Sequence, residues 1–143
     1  MKSEVVKCVV LADRHHGLTE GMRGLLETAF DAVVMVADET SLLESARHIQ
    51  PMVAVVDLSL APGEDLDWLQ RLRSECPKLK LILLSVHDEP SVRQAALAAG
   101  ADGYVLKRAI ATELLTAVDA VLAGQCYPAP DSPNSEPRKK QTP

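Results

Sequence analysis

Four polar residues each close a short apolar run in this chain of 143 residues. Val9-Val10-Leu11-Ala12 runs into Asp13, Met52-Val53-Ala54-Val55-Val56 into Asp57, Leu81-Ile82-Leu83-Leu84 into Ser85, and Tyr104-Val105-Leu106 into Lys107. Two carboxylates, a hydroxyl and an ammonium, each delivered by a strand end, are the parts of a phosphoryl-accepting pocket. Transfer of a phosphoryl group to a carboxylate is mostly positioning and charge neutralisation, because the incoming oxygens are negative. Asp57 is then the nucleophile. Ser85 would hydrogen-bond one phosphoryl oxygen, and Lys107 would offer a point charge to another. Each residue also has a plainer reading. Either aspartate could cap or turn the chain after a strand, Ser85 could simply end one, and Lys107 could be a solvated surface lysine.

The elements that must position these residues follow from the apolar pattern. Runs over 8–12, 32–37, 52–56, 81–84 and 103–106 are continuous rather than alternating, which suits parallel strands covered on both faces. Between them lie stretches with helical spacing. Leu18, Met22, Leu25, Leu26 and Ala29 fall on one helix face. Ser41-Leu42-Leu43-Glu44 has capping-box spacing and predicts the start of a second helix. Leu66, Leu69 and Leu72 stripe a third, which stops before Pro77. A fourth starts around Pro90-Ser91 and ends at Gly100. Thr112-Glu113 opens the last, over 111–124, with Leu114, Leu115, Val118, Val121 and Leu122 facing inward. Five strands alternating with five helices predict an α/β fold, a five-stranded parallel sheet doubly wound by right-handed crossovers. Such folds place their sites at the carboxyl ends of the strands. From Tyr127 onward five prolines stand among Ser, Asn, Lys and Arg, so the expectation is one domain over 1–126 and a Pro-rich tail or linker over 127–143.

Bulk properties narrow the function classes. A formal net charge of −5 gives no support to direct nucleic-acid binding or to an acidic membrane surface. The three cysteines (Cys8, Cys76, Cys126) form no metal-ligand spacing and suggest a reducing compartment, hence a cytoplasmic protein. The N-terminus lacks a signal peptide's apolar stretch, and no run approaches membrane-spanning length. An independent enzyme such as a flavin-binding redox protein fits poorly, because the loops lack a Gly-rich phosphate cradle and aromatics are only 3% of the chain. His15-His16 reads as a loop pair rather than a metal site, and Arg138-Lys139-Lys140 as a solvated basic run.

Taken together the segments resemble a response regulator receiver domain over roughly residues 5–126, closest to the receivers of LuxR/NarL-type regulators. The matching segments are Val10-Leu11-Ala12-Asp13-Arg14-His15-His16, Val55-Val56-Asp57-Leu58-Ser59-Leu60, Leu84-Ser85-Val86-His87-Asp88 and Ala99-Gly100-Ala101-Asp102-Gly103-Tyr104-Val105-Leu106-Lys107. The resemblance implies a flavodoxin-like three-layer sandwich without enzymatic activity of its own. Its phosphoacceptor would be Asp57, supplied by a sensor histidine kinase or phosphotransfer protein. It further implies Mg²⁺ held by Asp13, Asp57 and the backbone carbonyl of Ser59, and Tyr104 as a switch aromatic that turns inward when Ser85 moves toward the phosphate. Signalling, and a homodimer, would use the surface of the fourth helix, fifth strand and fifth helix.

Arg14 departs from the family, whose opening motif is an acidic pair with the second member on the metal. Magnesium wants hard oxygen ligands, and a guanidinium offers none. The guanidinium could instead lie between Asp13 and Asp57 in the metal's place, or Asp88 or Glu89 could supply a substitute oxygen. Leu60-Ala61-Pro62-Gly63 also replaces the usual turn, and Asp65 stands where a glycine is usual. Three readings therefore remain. The first is a phosphorylated receiver with weakened Mg²⁺ dependence or impaired phosphorylation. The second is a pseudo-receiver that binds proteins without phosphate. The third is the receiver part of a LuxR-type transcription regulator whose DNA-binding domain is not in this chain.

Overall fold

The computed structural model describes residues 7–14, 16–60 and 66–128. Five parallel strands, β1 (Cys8–Ala12), β2 (Ala32–Val36), β3 (Val53–Asp57), β4 (Lys80–Ser85) and β5 (Gly103–Leu106), form one sheet in the order β2-β1-β3-β4-β5. They alternate with α1 (His16–Glu27), α2 (Glu39–Ile49), α3 (Asp67–Glu75), α4 (Pro90–Ala98) and α5 (Ile110–Leu122). The doubly wound α/β expectation is met.

Successive strand residues point to opposite faces, and here both faces are buried. Val10, Ala12, Ala54, Val56, Leu81 and Leu83 pack with Leu42 of α2, Leu69 of α3 and Ala96 of α4. Val9, Leu11, Val53, Val55, Ile82 and Leu84 pack with Met22 and Leu26 of α1 and Leu114, Val118 and Val121 of α5. A continuous apolar run is the only pattern that satisfies both layers. After β2 the chain returns to the far side of β1 to lay down β3. This puts the reversal of strand order between the strands that lead to Asp13 and Asp57.

Helix boundaries differ from the sequence expectation in two places. The cap of α2 is Asp38, whose carboxylate accepts the Ser41 N–H at 2.7 Å. Ser41 therefore sits in the first turn rather than opening the helix. Two bonds from Ser41 to the Asp38 carboxylate also hold its pKa below the ordinary value. On α5 the buried stripe is Ile110, Leu114, Ala117, Val118 and Val121. Leu122 is exposed and Leu115 only half-buried, because both stand beside that stripe rather than on it; the helix begins at Ile110, after a 3₁₀ turn over Lys107–Ala109.

Beyond α5, Tyr127 lies along the open edge of β5. Its N–H donates to the Asp102 carbonyl at 2.9 Å, its carbonyl accepts from the Tyr104 N–H at 2.8 Å, and its hydroxyl donates to Glu113 at 3.2 Å. At Gly103 a Cβ would stand 3.1 Å from Ile82 Cγ1 and 3.4 Å from Val121 Cγ1, so the packing of β5 against β4 and α5 leaves little room for a side chain there. Residues 129–143 of the expected tail, including Arg138-Lys139-Lys140, lie outside the described residues. So do His15, the side chain of His16, and the 61–65 segment with its altered turn and Asp65.

At the amino ends of the last strands one side chain ties three segments together. The Arg73 guanidinium donates to the Gly100 carbonyl (2.9 and 3.2 Å), the Leu79 carbonyl (2.6 Å), the Pro77 carbonyl (3.0 Å) and Asp102 Oδ2 (2.7 Å). Asp102 Oδ2 also accepts the Leu81 N–H at 2.9 Å. A planar fork of five donors suits this cluster, and an ammonium does not. Truncation would leave half-buried acceptors without their donor. Arg73→Ala should therefore lower the unfolding free energy by roughly 2–4 kcal/mol. Arg73→Lys should recover less than half of that in urea denaturation. A wild-type midpoint for Arg73→Ala would show that water replaces the clasp.

Candidate functional site

Strand register brings the four strand-end residues to one rim. Ala12 pairs with Val56, so Asp13 and Asp57 leave adjacent strands side by side. Asp57 pairs with Leu84, and Ser85 with Leu106, so Ser85 and Lys107 complete the same rim. Asp13, Asp57 and Ser85 are the buried polar residues among those described.

Lys107 Nζ lies 3.1 Å from Asp57 Oδ2 and 4.0 Å from Asp13 Oδ2, so one ammonium faces both carboxylates. Ser59 wraps back on the acceptor. Its hydroxyl donates to Asp57 Oδ2 at 2.9 Å and its N–H to Asp57 Oδ1 at 3.3 Å. The Ser59 carbonyl faces the other way and accepts from Arg14 Nη1 at 3.4 Å. That is long for a hydrogen bond, so the contact is chiefly charge on a carbonyl dipole. A cavity of about 530 Å³ opens over Asp57, between Ser59 and Leu66 on one side and Ser91 and Val92 of α4 on the other.

The loop joining β4 to α4 is held from inside. The Ser85 hydroxyl accepts the His87 N–H at 2.9 Å, and the Tyr104 hydroxyl donates to the His87 carbonyl at 2.7 Å. The Tyr104 ring is only 4% exposed. Burial raises its phenol pKa above the ordinary value, opposed by the Ser85 hydroxyl. Tyr104 thus points inward in this structure.

The strand-end pattern placed Asp13, Asp57, Ser85 and Lys107 on one rim, and all four are there. Of the two residues added by resemblance, Ser59 follows Asp57 in the same loop and Tyr104 lies within β5 with its hydroxyl reaching the His87 carbonyl. Sequence reasoning missed the Ser59 hydroxyl on the acceptor and His87 as the backbone link between Ser85 and Tyr104. Neither carries a compositional signal, since one is a loop rotamer and the other a main-chain role. Asp88 and Glu89, the candidate substitute ligands, turn to other partners. Asp88 pairs with Arg108 at 3.1 Å, and Glu89 Oε1 lies 3.7 Å from His87 Nδ1.

Comparison with known proteins now becomes decisive. Residues 9–119 match the response regulator receiver domain family. The chain belongs to that family. Among curated relatives, the transcriptional regulatory protein MctR of Rhizobium johnstonii is 32% identical over 123 residues, covering 83% of this chain and 56% of MctR. The oxygen regulatory protein NreC of Staphylococcus aureus is 30% identical over 122 residues, with coverage of 83% and 56%. Among solved structures, a LuxR-family two-component response regulator from Aurantimonas superposes with a TM-score of 0.78 at 28% identity, over 89% of this chain and 92% of that one. The signal receiver domain of NarL from Mycobacterium tuberculosis gives 0.74 at 29% identity, over 86% and 100%. This is a receiver domain of the LuxR/NarL type, and it spans little more than half the length of the curated relatives it matches.

Receiver domains typically use Mg²⁺ for phosphorylation, and the donor set can be tested against that ion. Asp13, Asp57 and the Ser59 carbonyl supply three oxygens, but a guanidinium lies against the carbonyl and, among the described residues, no third carboxylate joins them. Among the described residues, no group of three or more His, Cys, Asp or Glu side chains could hold a metal. As it stands, this receiver's pocket does not fit the ion.

Tyr104 and Tyr127 are the two tyrosines of the chain, and burial raises the pKa of both, with the Glu113 charge adding to the effect on Tyr127. A phenol pKa raised by folding stabilises the native state fully below the unfolded value of about 10 and loses that contribution as pH climbs through the folded value. Phenolate absorbance should therefore stay low at pH 10 in the native receiver and develop above it, together with loss of circular dichroism. Half-titration at pH 10 in the folded protein would contradict the burial of these hydroxyls.

Proposed function

We propose that this receiver accepts a phosphoryl group on Asp57 from a sensor histidine kinase or phosphotransfer protein and relays the change to its α4-β5-α5 face. One observation carries the reading: Lys107 Nζ sits 3.1 Å from the buried acceptor oxygen, beneath a cavity that opens to solvent. In the transfer an Asp57 oxygen attacks phosphorus, the P–N bond to the donor histidine breaks, and the imidazole nitrogen keeps the electron pair. Lys107 and the Ser85 hydroxyl face the incoming phosphoryl oxygens. Drawing Ser85 toward the phosphate would disturb the bond it accepts from His87, whose carbonyl anchors Tyr104. Pocket and output face share that residue. The receiver in this reading runs through Tyr127, one residue past the expected boundary at 126, because Tyr127 pairs along the edge of β5. The transcriptional regulatory protein MctR extends well beyond the stretch that this chain matches.

A second reading is a phosphate-independent interaction module, favoured by Arg14 on the Ser59 carbonyl and by Tyr104 already inward.

Incubation with acetyl phosphate followed by intact-mass analysis separates the two. The wild-type protein should gain one phosphoryl group and Asp57→Asn none. Lys107→Met should be labelled about 10²-fold more slowly, the usual cost of removing one electrostatic donor from such a site. A wild-type protein that stays unlabelled after prolonged incubation, with and without Mg²⁺, would leave only the second reading.

A further inference from the structure

The disagreement between this pocket and a divalent cation points to a specific role for Arg14. Two carboxylates, Asp13 and Asp57, share this rim with two side-chain cations: Lys107 on the acids and Arg14 on the Ser59 carbonyl. Lys107 lies against the acids themselves, 17% exposed. Arg14 follows Asp13 directly and reaches the Ser59 carbonyl, the backbone oxygen that a metal in this pocket would need. Mg²⁺ binds oxygen at about 2.0–2.1 Å in a near-ideal octahedron and gives up its water reluctantly. Bound to the same carbonyl, it would stand within a few ångströms of a permanent positive charge. The guanidinium has no lone pair to offer and cannot lose its proton to make room.

We propose that Arg14 is the resident cation of this pocket: it closes the site to divalent metal and makes phosphoryl acceptance metal-independent. The proposal rests on the reading of Asp57 as acceptor. Arg14 is exposed at the mouth of the site, so its guanidinium can turn from the Ser59 carbonyl to a phosphoryl oxygen on Asp57. A phosphoryl group brings a charge near −2 and three acceptor oxygens, the partner for which a planar fork of N–H donors is suited. With Lys107 on the acceptor side and Arg14 on the Ser59 side, the group would meet one cation on each flank. Arg14 is a phosphoryl-binding residue in this scheme, and the carbonyl contact is its resting position.

Two measurements on the full chain test this. The first is labelling by acetyl phosphate in Mg²⁺ and in EDTA, followed by intact mass. The second is thermal unfolding during a Mg²⁺ titration, which needs no phosphorylation. Wild type should be labelled at rates within about twofold in the two buffers, whereas Arg14→Asp, with its acidic pair, should be roughly tenfold or more faster in Mg²⁺. Arg14→Gln should be slow in both, and Arg14→Lys should keep part of the metal-independent rate. Millimolar Mg²⁺ should raise the melting temperature of Arg14→Asp and leave wild type unchanged, since only a ligand bound by the native state shifts that temperature. Tenfold Mg²⁺ dependence in wild type, or a Mg²⁺-induced rise equal to that of Arg14→Asp, would overturn the proposal. If wild type is unlabelled in both buffers the phosphoacceptor reading fails, and the Mg²⁺ titration alone then supports or overturns closure of the site to metal.

Discussion

Burial of the sheet on both faces is the constraint from which the rest of this structure follows. Helices cover both sides of β1, β3 and β4, so no polar side chain can be placed along those strands without losing its water. Charge can enter only where a strand ends. Asp13, Asp57, Ser85 and Lys107 are such ends, and parallel strands put every carboxyl end on the same rim. The site is therefore a by-product of the layer architecture, and the reversal of strand order between β1 and β3 sets the two acids side by side.

Within that rim the chemistry is governed by charge balance. Lys107 faces both carboxylates, Ser59 donates to the acceptor through its hydroxyl and its N–H, and Arg14 covers the back of the same loop residue. The Ser59 peptide is the pivot, with its donors directed at Asp57 and its carbonyl at Arg14. At that oxygen the chain places a guanidinium.

Coupling from the rim to the surface needs few parts. Ser85 and Tyr104 come from neighbouring strands, and both bond the main chain of His87, one to its N–H and the other to its carbonyl. Any movement of the Ser85 hydroxyl or of the Tyr104 ring would thus act on one loop residue. The Arg73 clasp holds the opposite ends of β4 and β5 and the turn after α4 in place.

Much of this was legible without coordinates. Continuous Val- and Leu-rich runs determine a parallel, two-sided sheet, because only such a sheet needs them, and the polar residue after each run marks the site. Capping and exposure were less legible. Asp38 outcompetes Ser41 for the start of α2, since the carboxylate accepts from the residue three along. Leu122 is exposed because α5 buries the stripe through Leu114, Val118 and Val121, and Leu122 stands beside it. What only the tertiary structure decided are the contacts between segments far apart in the chain. Arg14 meets Ser59 across two strands, Arg73 gathers three carbonyls from two turns, and Tyr127 extends the sheet edge. Periodicity reports which face of an element is buried, but the partner of a side chain depends on register and loop path. For Asp57 the sequence determined its place at the rim, and the fold decided that its cationic company is Lys107 with Arg14 close behind.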